Sequence, residues 1–153
     1  MPQHVIIAGN QKCGTTALFD ILKDHPEIAV PQDGRKELHF FNRIDRLHWY
    51  NRRKYTQRWS HEDRRTKRAC LEATPVLGYY SAPHTPCCLE LVKEFNPDTK
   101  IIMMFRNPVD RAYSHWNMEF NRGATDLDFE QALLHEKRQG SFDMVYSFLD
   151  RGR

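Results

Sequence analysis

The most constraining feature of the chain is an apolar strand pattern that runs into a glycine-bounded polar loop and then into a helix pattern. Val5, Ile6 and Ile7 fill a short apolar run from His4 to Ala8, which suits a buried strand. Gly9 to Gly14 reads as a polar loop. Thr15 to Asp24 has helical spacing, with Leu18, Ile21 and Leu22 placed on one side, and His25-Pro26 stops it. A helix N-terminus presents unpaired N–H groups and a partial positive charge, so such a junction holds anions. Here Gln11, Lys12, Cys13, Gly14, Thr15 and Thr16 would surround the anion. Lys12 brings a full charge, the two threonines bring hydroxyl donors, and Gly14 lets the backbone approach. The plain alternative is an ordinary strand-to-helix turn with a chance lysine.

The same alternation continues. Ile28 to Val30 and Ala69 to Glu72 read as short strands, and Lys100 to Phe105 as a second clear buried strand. Thr85-Pro86 predicts a helix start reaching Phe95, Pro108 opens a helix to about Phe120, and Asp128 caps another with Phe129, Ala132 and Leu133 inward. Strands alternating with helices predict an α/β fold: a P-loop-like parallel sheet flanked by helices. No repeat or domain boundary is visible, so residues 1–153 read as one domain.

The phosphate loop departs from the usual nucleoside triphosphate pattern, because Lys12 precedes Gly14 instead of following the last glycine. The strand from Ile101 to Phe105 ends in Arg106-Asn107-Pro108, where a hydrolase would carry a magnesium-binding aspartate. An arginine there repels a metal and attracts a second phosphate. A phosphate-loop kinase or hydrolase is therefore the weaker reading, with a non-catalytic nucleotide-binding fragment as the third.

Both segments resemble those of sulfotransferases that use 3′-phosphoadenosine 5′-phosphosulfate (PAPS) and release PAP. Gln11-Lys12-Cys13-Gly14-Thr15-Thr16 is similar to their 5′-phosphosulfate loop, and Phe105 to Ser114 to their 3′-phosphate motif. The resemblance implies that Lys12, Gly14, Thr15 and Thr16 hold the 5′ side, and that Arg106 and Ser114 hold the 3′-phosphate. Lys36-Glu37-Leu38-His39-Phe40-Phe41-Asn42 is similar to a Lys-Glu-x-His-Phe-Phe-Asp stretch of the heparan sulfate type, in which the glutamate is the base. Leu71-Glu72-Ala73-Thr74-Pro75 resembles that group's Glu-Lys-Thr-Pro stretch. Asn42 replaces the aspartate and Ala73 the lysine, so the acceptor stays open: a hydroxyl or amine of a carbohydrate or small molecule. The resemblance also implies that the chain is the N-terminal, donor-binding part of the domain, cut at Gly152-Arg153 where the next donor loop would start.

Sulfonyl transfer needs an in-line acceptor, a base and charge stabilisation on the leaving phosphate. Lys12 is the candidate for the last, and Glu37 for the base. His39 is the alternative base, because histidine titrates near neutrality. The plain alternatives are a surface ion pair of Glu37 with Lys36 or Arg35, and a His39 packed between aromatics. No histidine, cysteine or aspartate cluster has metal-ligand spacing.

Arg52 to Arg68 is a basic stretch interleaved with Trp49, Tyr50, Tyr55 and Trp59. It reads as a solvated face whose aromatics pack down, with an acceptor-binding wall as the alternative. Net charge is +3 in 153 residues, too weak to indicate nucleic acid as a partner. No run approaches the roughly 18 apolar residues of a membrane span, and Met1 to Ala8 has no signal-peptide pattern. Cys13, Cys70, Cys87 and Cys88 fit no zinc spacing and read as reduced thiols of a cytoplasmic protein.

Overall fold

The computed structural model describes residues 2–42, 49–78 and 88–139. Four parallel strands form one sheet: β1 (Gln3–Gly9), β2 (Ile28–Ala29), β3 (Ala69–Ala73) and β4 (Lys100–Met104), in the order β2-β3-β1-β4. Parallel neighbours need crossover connections. On these lie α1 (Thr15–Leu22), α2 (Trp49–Thr56), α3 (His61–Thr66) and α4 (Cys88–Phe95), with a 3₁₀ turn at Pro75–Gly78, while α5 (Pro108–Asn121) and α6 (Phe129–Gln139) follow β4. The predicted α/β fold with a parallel sheet is therefore present. The proposed cap at Thr85-Pro86 lies outside the described residues.

By contact, the chain groups into two compact units: residues 1–10 with 14–104, and residues 11–13 with 105–153. The first contains the sheet. β1 lies between β3 and β4, with Ile6 opposite Glu72 on one side and Ile101 on the other. Strand alternation then divides the core. Ile6, Ala8 and Cys70 face a cluster with Phe40, Phe41, Tyr55, Trp59, Leu91 and Val92. Ile7, Leu71 and Ala73 face Phe19 of α1 on the other side. Burying a ring as completely as Phe41 stabilises the fold by about 1.5–3 kcal/mol.

The inward stripe of α1 differs from the sequence expectation. Phe19 is buried, whereas Ile21 is 73% exposed. Thr15, Phe19 and Leu22 recur at helical spacing, and Ile21 lies roughly 200° around the axis from Phe19. In the basic stretch Tyr55 and Trp59 do pack down, and both are buried.

The second unit is built on α5 and α6. Asn107 caps α5, its Oδ1 accepting from Val109 N–H at 2.9 Å, and Pro108 stands at the first helical position. Asp128 caps α6 by accepting from Gln131 N–H at 2.8 Å. Trp116 Nε1 donates to Leu127 O at 2.9 Å, and Tyr113 and Trp116 both meet the Phe129 ring, tying the helices together.

Candidate active site

β1 delivers the chain to its turn through a glycine that no other residue can replace without movement. Gly9 has φ 131°, and a Cβ there would lie 2.3 Å from Met104 O. The strand ends thus approach each other at the C-terminal edge of the sheet, where open α/β sheets place ligands. Gly14 caps α1 with φ 88° and gives it no side-chain cap, and the first turn of α1 carries no acidic residue. Those first-turn N–H groups have the character of an anion site. Thr15 is buried beside them, and Thr16 is exposed.

Thr16 is the start of a polar chain that reaches the predicted base. Lys36 Nζ donates to Thr16 Oγ1 at 2.6 Å and pairs with Glu37 Oε1 at 2.7 Å. His39 Nε2 lies 3.3 Å from Glu37 Oε2, and Asn42 Nδ2 lies 3.1 Å from His39 Nδ1. Thr16 is therefore brought together with Glu37 and His39, some twenty residues further along the chain. The surface pairing of Glu37 with Lys36 also exists, with the Glu37 side chain one-third exposed. His39 is not sealed between aromatics, since its side chain is 38% exposed. With the Asn42 amide donating to Nδ1, the neutral ring carries its proton on Nε2, which faces Glu37 Oε2.

A cleft of about 350 Å³ opens on the same stretch, lined by Arg35, Glu37, Leu38, Lys54, Tyr55 and Arg58. The basic region therefore contributes cations to the cleft while its aromatics serve the core. Among the described residues no cluster could hold a metal ion.

Sequence reasoning missed the polar network beneath this surface. Glu72, within β3 and fully buried, accepts from the Tyr55 hydroxyl and from Thr74 Oγ1 at 2.8 Å. His4 Nε2 is 2.6 Å from the same Tyr55 hydroxyl, and its Nδ1 is 3.2 Å from Thr99 Oγ1. A lone acid inside the apolar run of Ala69–Ala73 was the available sign. Ala73, where the related stretch has lysine, is buried against Ile7 and Phe19 and offers no charge.

Burial pushes the His4 imidazole down to about 4 from 6.5. The unfolded chain takes that proton first, so this contribution to stability is complete above about 6.5 and is lost toward 4. Burial instead raises the Glu72 carboxyl, so acid favours the folded state through that group. A His4→Gln variant should therefore lose less stability than the parent between about pH 6.5 and 4.5, by up to about 2 kcal/mol. Urea midpoints at the two pH values check this; equal losses would remove His4 from the account.

In the second unit, Arg106 donates from Nη1 to Lys12 O at 3.2 Å, so these two predicted donor ligands are neighbours. Lys12 itself holds φ 70°, a left-handed conformation uncommon for lysine. Cys13 is buried, Gln11 is half-buried, and Ser114 is half-buried on α5.

A parallel sheet whose first strand runs through a glycine-bounded turn into a helix places the chain among α/β proteins of P-loop-like fold. The sulfotransferase domain profile matches residues 2–151, and the chain belongs to that family. It is 28% identical over 155 residues to mouse (Mus musculus) heparan sulfate glucosamine 3-O-sulfotransferase 3B1, covering 99% of this chain and 35% of that protein. It is 32% identical over 146 residues to the membrane-associated sulfotransferase kil1 of Dictyostelium discoideum, covering 90% and 28%. A crystal structure of a sulfotransferase from Alicyclobacillus acidocaldarius superposes with TM-score 0.74 at 27% identity, over 97% of this chain and 62% of that one. The chain thus spans about a third of the length of the curated heparan sulfate relatives it matches. No described helix is long and apolar enough to cross a membrane.

Proposed function

We propose that the protein transfers the sulfonyl group of PAPS to a hydroxyl or amine of a carbohydrate acceptor, with Glu37 as base. The observation that carries this is the continuous contact from Thr16, in the phosphate-type turn, through Lys36 to Glu37. It sets a carboxylate next to the first turn of α1 and leaves it at the edge of an open cleft. In the transfer, the acceptor oxygen or nitrogen forms a bond to sulfur, and the bond from sulfur to the 5′-phosphate oxygen breaks. The acceptor proton passes to the Glu37 carboxylate, and PAP leaves with the electron pair. Lys12 and the first-turn N–H groups offset the charge on that phosphate. Arg106 and Ser114 hold the 3′-phosphate, with Gln11 and Cys13 shaping the turn. The heparan sulfate relatives support the carbohydrate acceptor, and the Lys36–Asn42 stretch supports the same centre.

Donor binding is tested by titration with PAP. Lys12→Ala and Arg106→Ala should each weaken PAP by about 10- to 150-fold, since each removes a charge-assisted contact of about 1.5–3 kcal/mol. Chelating magnesium should leave PAP affinity nearly unchanged. Parental affinity in both variants would refute the assignment, and tight magnesium-dependent binding of ATP would favour a kinase.

A further inference from the structure

One side chain joins the two segments that line the cleft. The lining residues come from Arg35–Phe40 and from Lys54–Arg58. Tyr55 belongs to the second segment, and its ring stacks on Phe40 of the first, with centroids 4.5 Å apart and planes at 27°. Phe41, next along, meets the same ring edge-on at 5.3 Å. The Tyr55 carbonyl accepts from the Arg58 backbone N–H at 3.0 Å. Arg58 is held further: its carbonyl accepts from Gln32 N–H at 2.8 Å, and its guanidinium meets the Asp33 carboxylate. Tyr55 thus touches both the backbone that carries Arg58 and the aromatic pair that follows Glu37 and His39.

Apolar packing alone would let such a ring slide. Phe40, Phe41, Trp59 and Phe95 surround it, so a phenylalanine would bury as well in its place. The hydroxyl fixes the ring's depth and rotation. It donates to Glu72 of β3, and its oxygen lies 2.6 Å from His4 Nε2 of β1. Hydrogen bonds are directional, whereas apolar contact is not. Two neighbouring strands therefore hold one atom of α2, and that atom sets where the end of the helix stands on the sheet.

We propose that Tyr55 is a positioning residue of the acceptor cleft: its hydroxyl, shared by His4 and Glu72, fixes the spacing between the segment that carries Glu37 and the segment that carries Arg58. This rests on reading Glu37 as the base and the cleft as the seat of the acceptor. Tyr55 takes no part in the bond changes. It sets the distance across which Arg58 can offer its N–H donors to acceptor oxygens while the reacting group meets Glu37.

The test compares the ¹⁵N-labelled protein with Tyr55→Phe, which keeps the ring and removes the hydroxyl. With PAPS as donor and heparan sulfate as the acceptor probe, KM for the probe should rise about 10-fold, while PAP affinity stays within a few-fold. A role in stability alone would lower the folded fraction, and apparent kcat with it, but leave KM parental; that result would overturn the proposal. Hydrogen exchange gives a second readout that needs no acceptor. The Arg58 amide should quicken about 10-fold relative to the amides of β1, and an unchanged ratio would equally overturn the idea. If the parent does not act on heparan sulfate, that acceptor is dismissed and the exchange ratio decides. If Tyr55→Phe does not fold, His4→Leu decides, since it fills similar space and offers the hydroxyl no partner. Probe KM and the Arg58 ratio should then each rise a few-fold, and parental values of both would refute the role. The two readings fail separately. Raised KM in Tyr55→Phe, with undiminished turnover in Glu37→Gln, would keep the positioning role and dismiss Glu37 as base. A collapse in Glu37→Gln beside parental KM and exchange in Tyr55→Phe would keep the base and dismiss Tyr55.

Discussion

Glu37→Gln is expected to lower turnover by about 10²–10⁴ while leaving PAP affinity within a few-fold. Glutamine preserves the shape that meets Lys36 and His39 but cannot take a proton. The Lys36 ammonium would keep its contact with Thr16, so the turn proposed to hold the donor has no reason to shift. The loss therefore falls on the chemical step. His39→Ala should cost less, because the imidazole stands 3.3 Å from Glu37 and flanks it on the side away from Lys36. Both variants are to be measured with one acceptor at saturating donor. Near-parental turnover in Glu37→Gln together with collapse in His39→Ala would transfer the role to the histidine. Indifference of the protein to both changes would reduce the stretch to scaffolding.

Gly9→Ala should destabilise the protein by at least about 3 kcal/mol, a large share of the roughly 5–15 kcal/mol that holds a domain together. Two costs combine. The backbone at φ 131° is a region that residues with a Cβ rarely occupy, and the new carbon would meet Met104 O at 2.3 Å. That oxygen belongs to backbone in a paired strand and cannot swing aside. Gly34→Ala provides the control, with φ 71° but nothing within 4 Å of the added carbon, so only the conformational cost of about 1–2 kcal/mol applies. Urea midpoints at unchanged slope would show the difference. Equal losses at the two glycines would mean that the sheet edge can yield.

The sheet and its main helices were legible because they depend on local pattern. The run Val5–Ala8 reads as a buried strand and is one, whereas the run Ile101–Met104 is a strand but only half-buried, at the end of the strand order, with Phe105 exposed. Asn107, Pro108 and Asp128 mark helix starts by chemistry confined to a few residues. The inward face of α1 was less certain, because an isoleucine and a phenylalanine two positions apart both look apolar while only one can face the sheet. Candidate site residues were legible as types within a motif: Lys12, Thr16, Glu37, His39 and Arg106 all stand out in sequence. What joins them was not. The contact of Lys36 with Thr16 and the His4–Tyr55–Glu72 network link residues far apart along the chain. Such links arise only once β1 and β3 are side by side.

The central place of β1 also governs how the molecule comes into being. Gln3 pairs with Ala69, and Ile6 with Ile101, so β1 has both its partners far downstream in the chain. Until residues through Met104 have left the ribosome, the segment Val5–Ala8 has no complete pairing and remains an apolar strand in search of an edge. Loop closure over such distances makes assembly slow, and the waiting strand is the part of the nascent chain most open to aggregation and to capture by a chaperone. The turn after β1 cannot take its final form earlier, because the backbone that Gly9 abuts belongs to Met104. Maturation of the turn after β1 is thus timed by β4, the last of the four described strands to emerge.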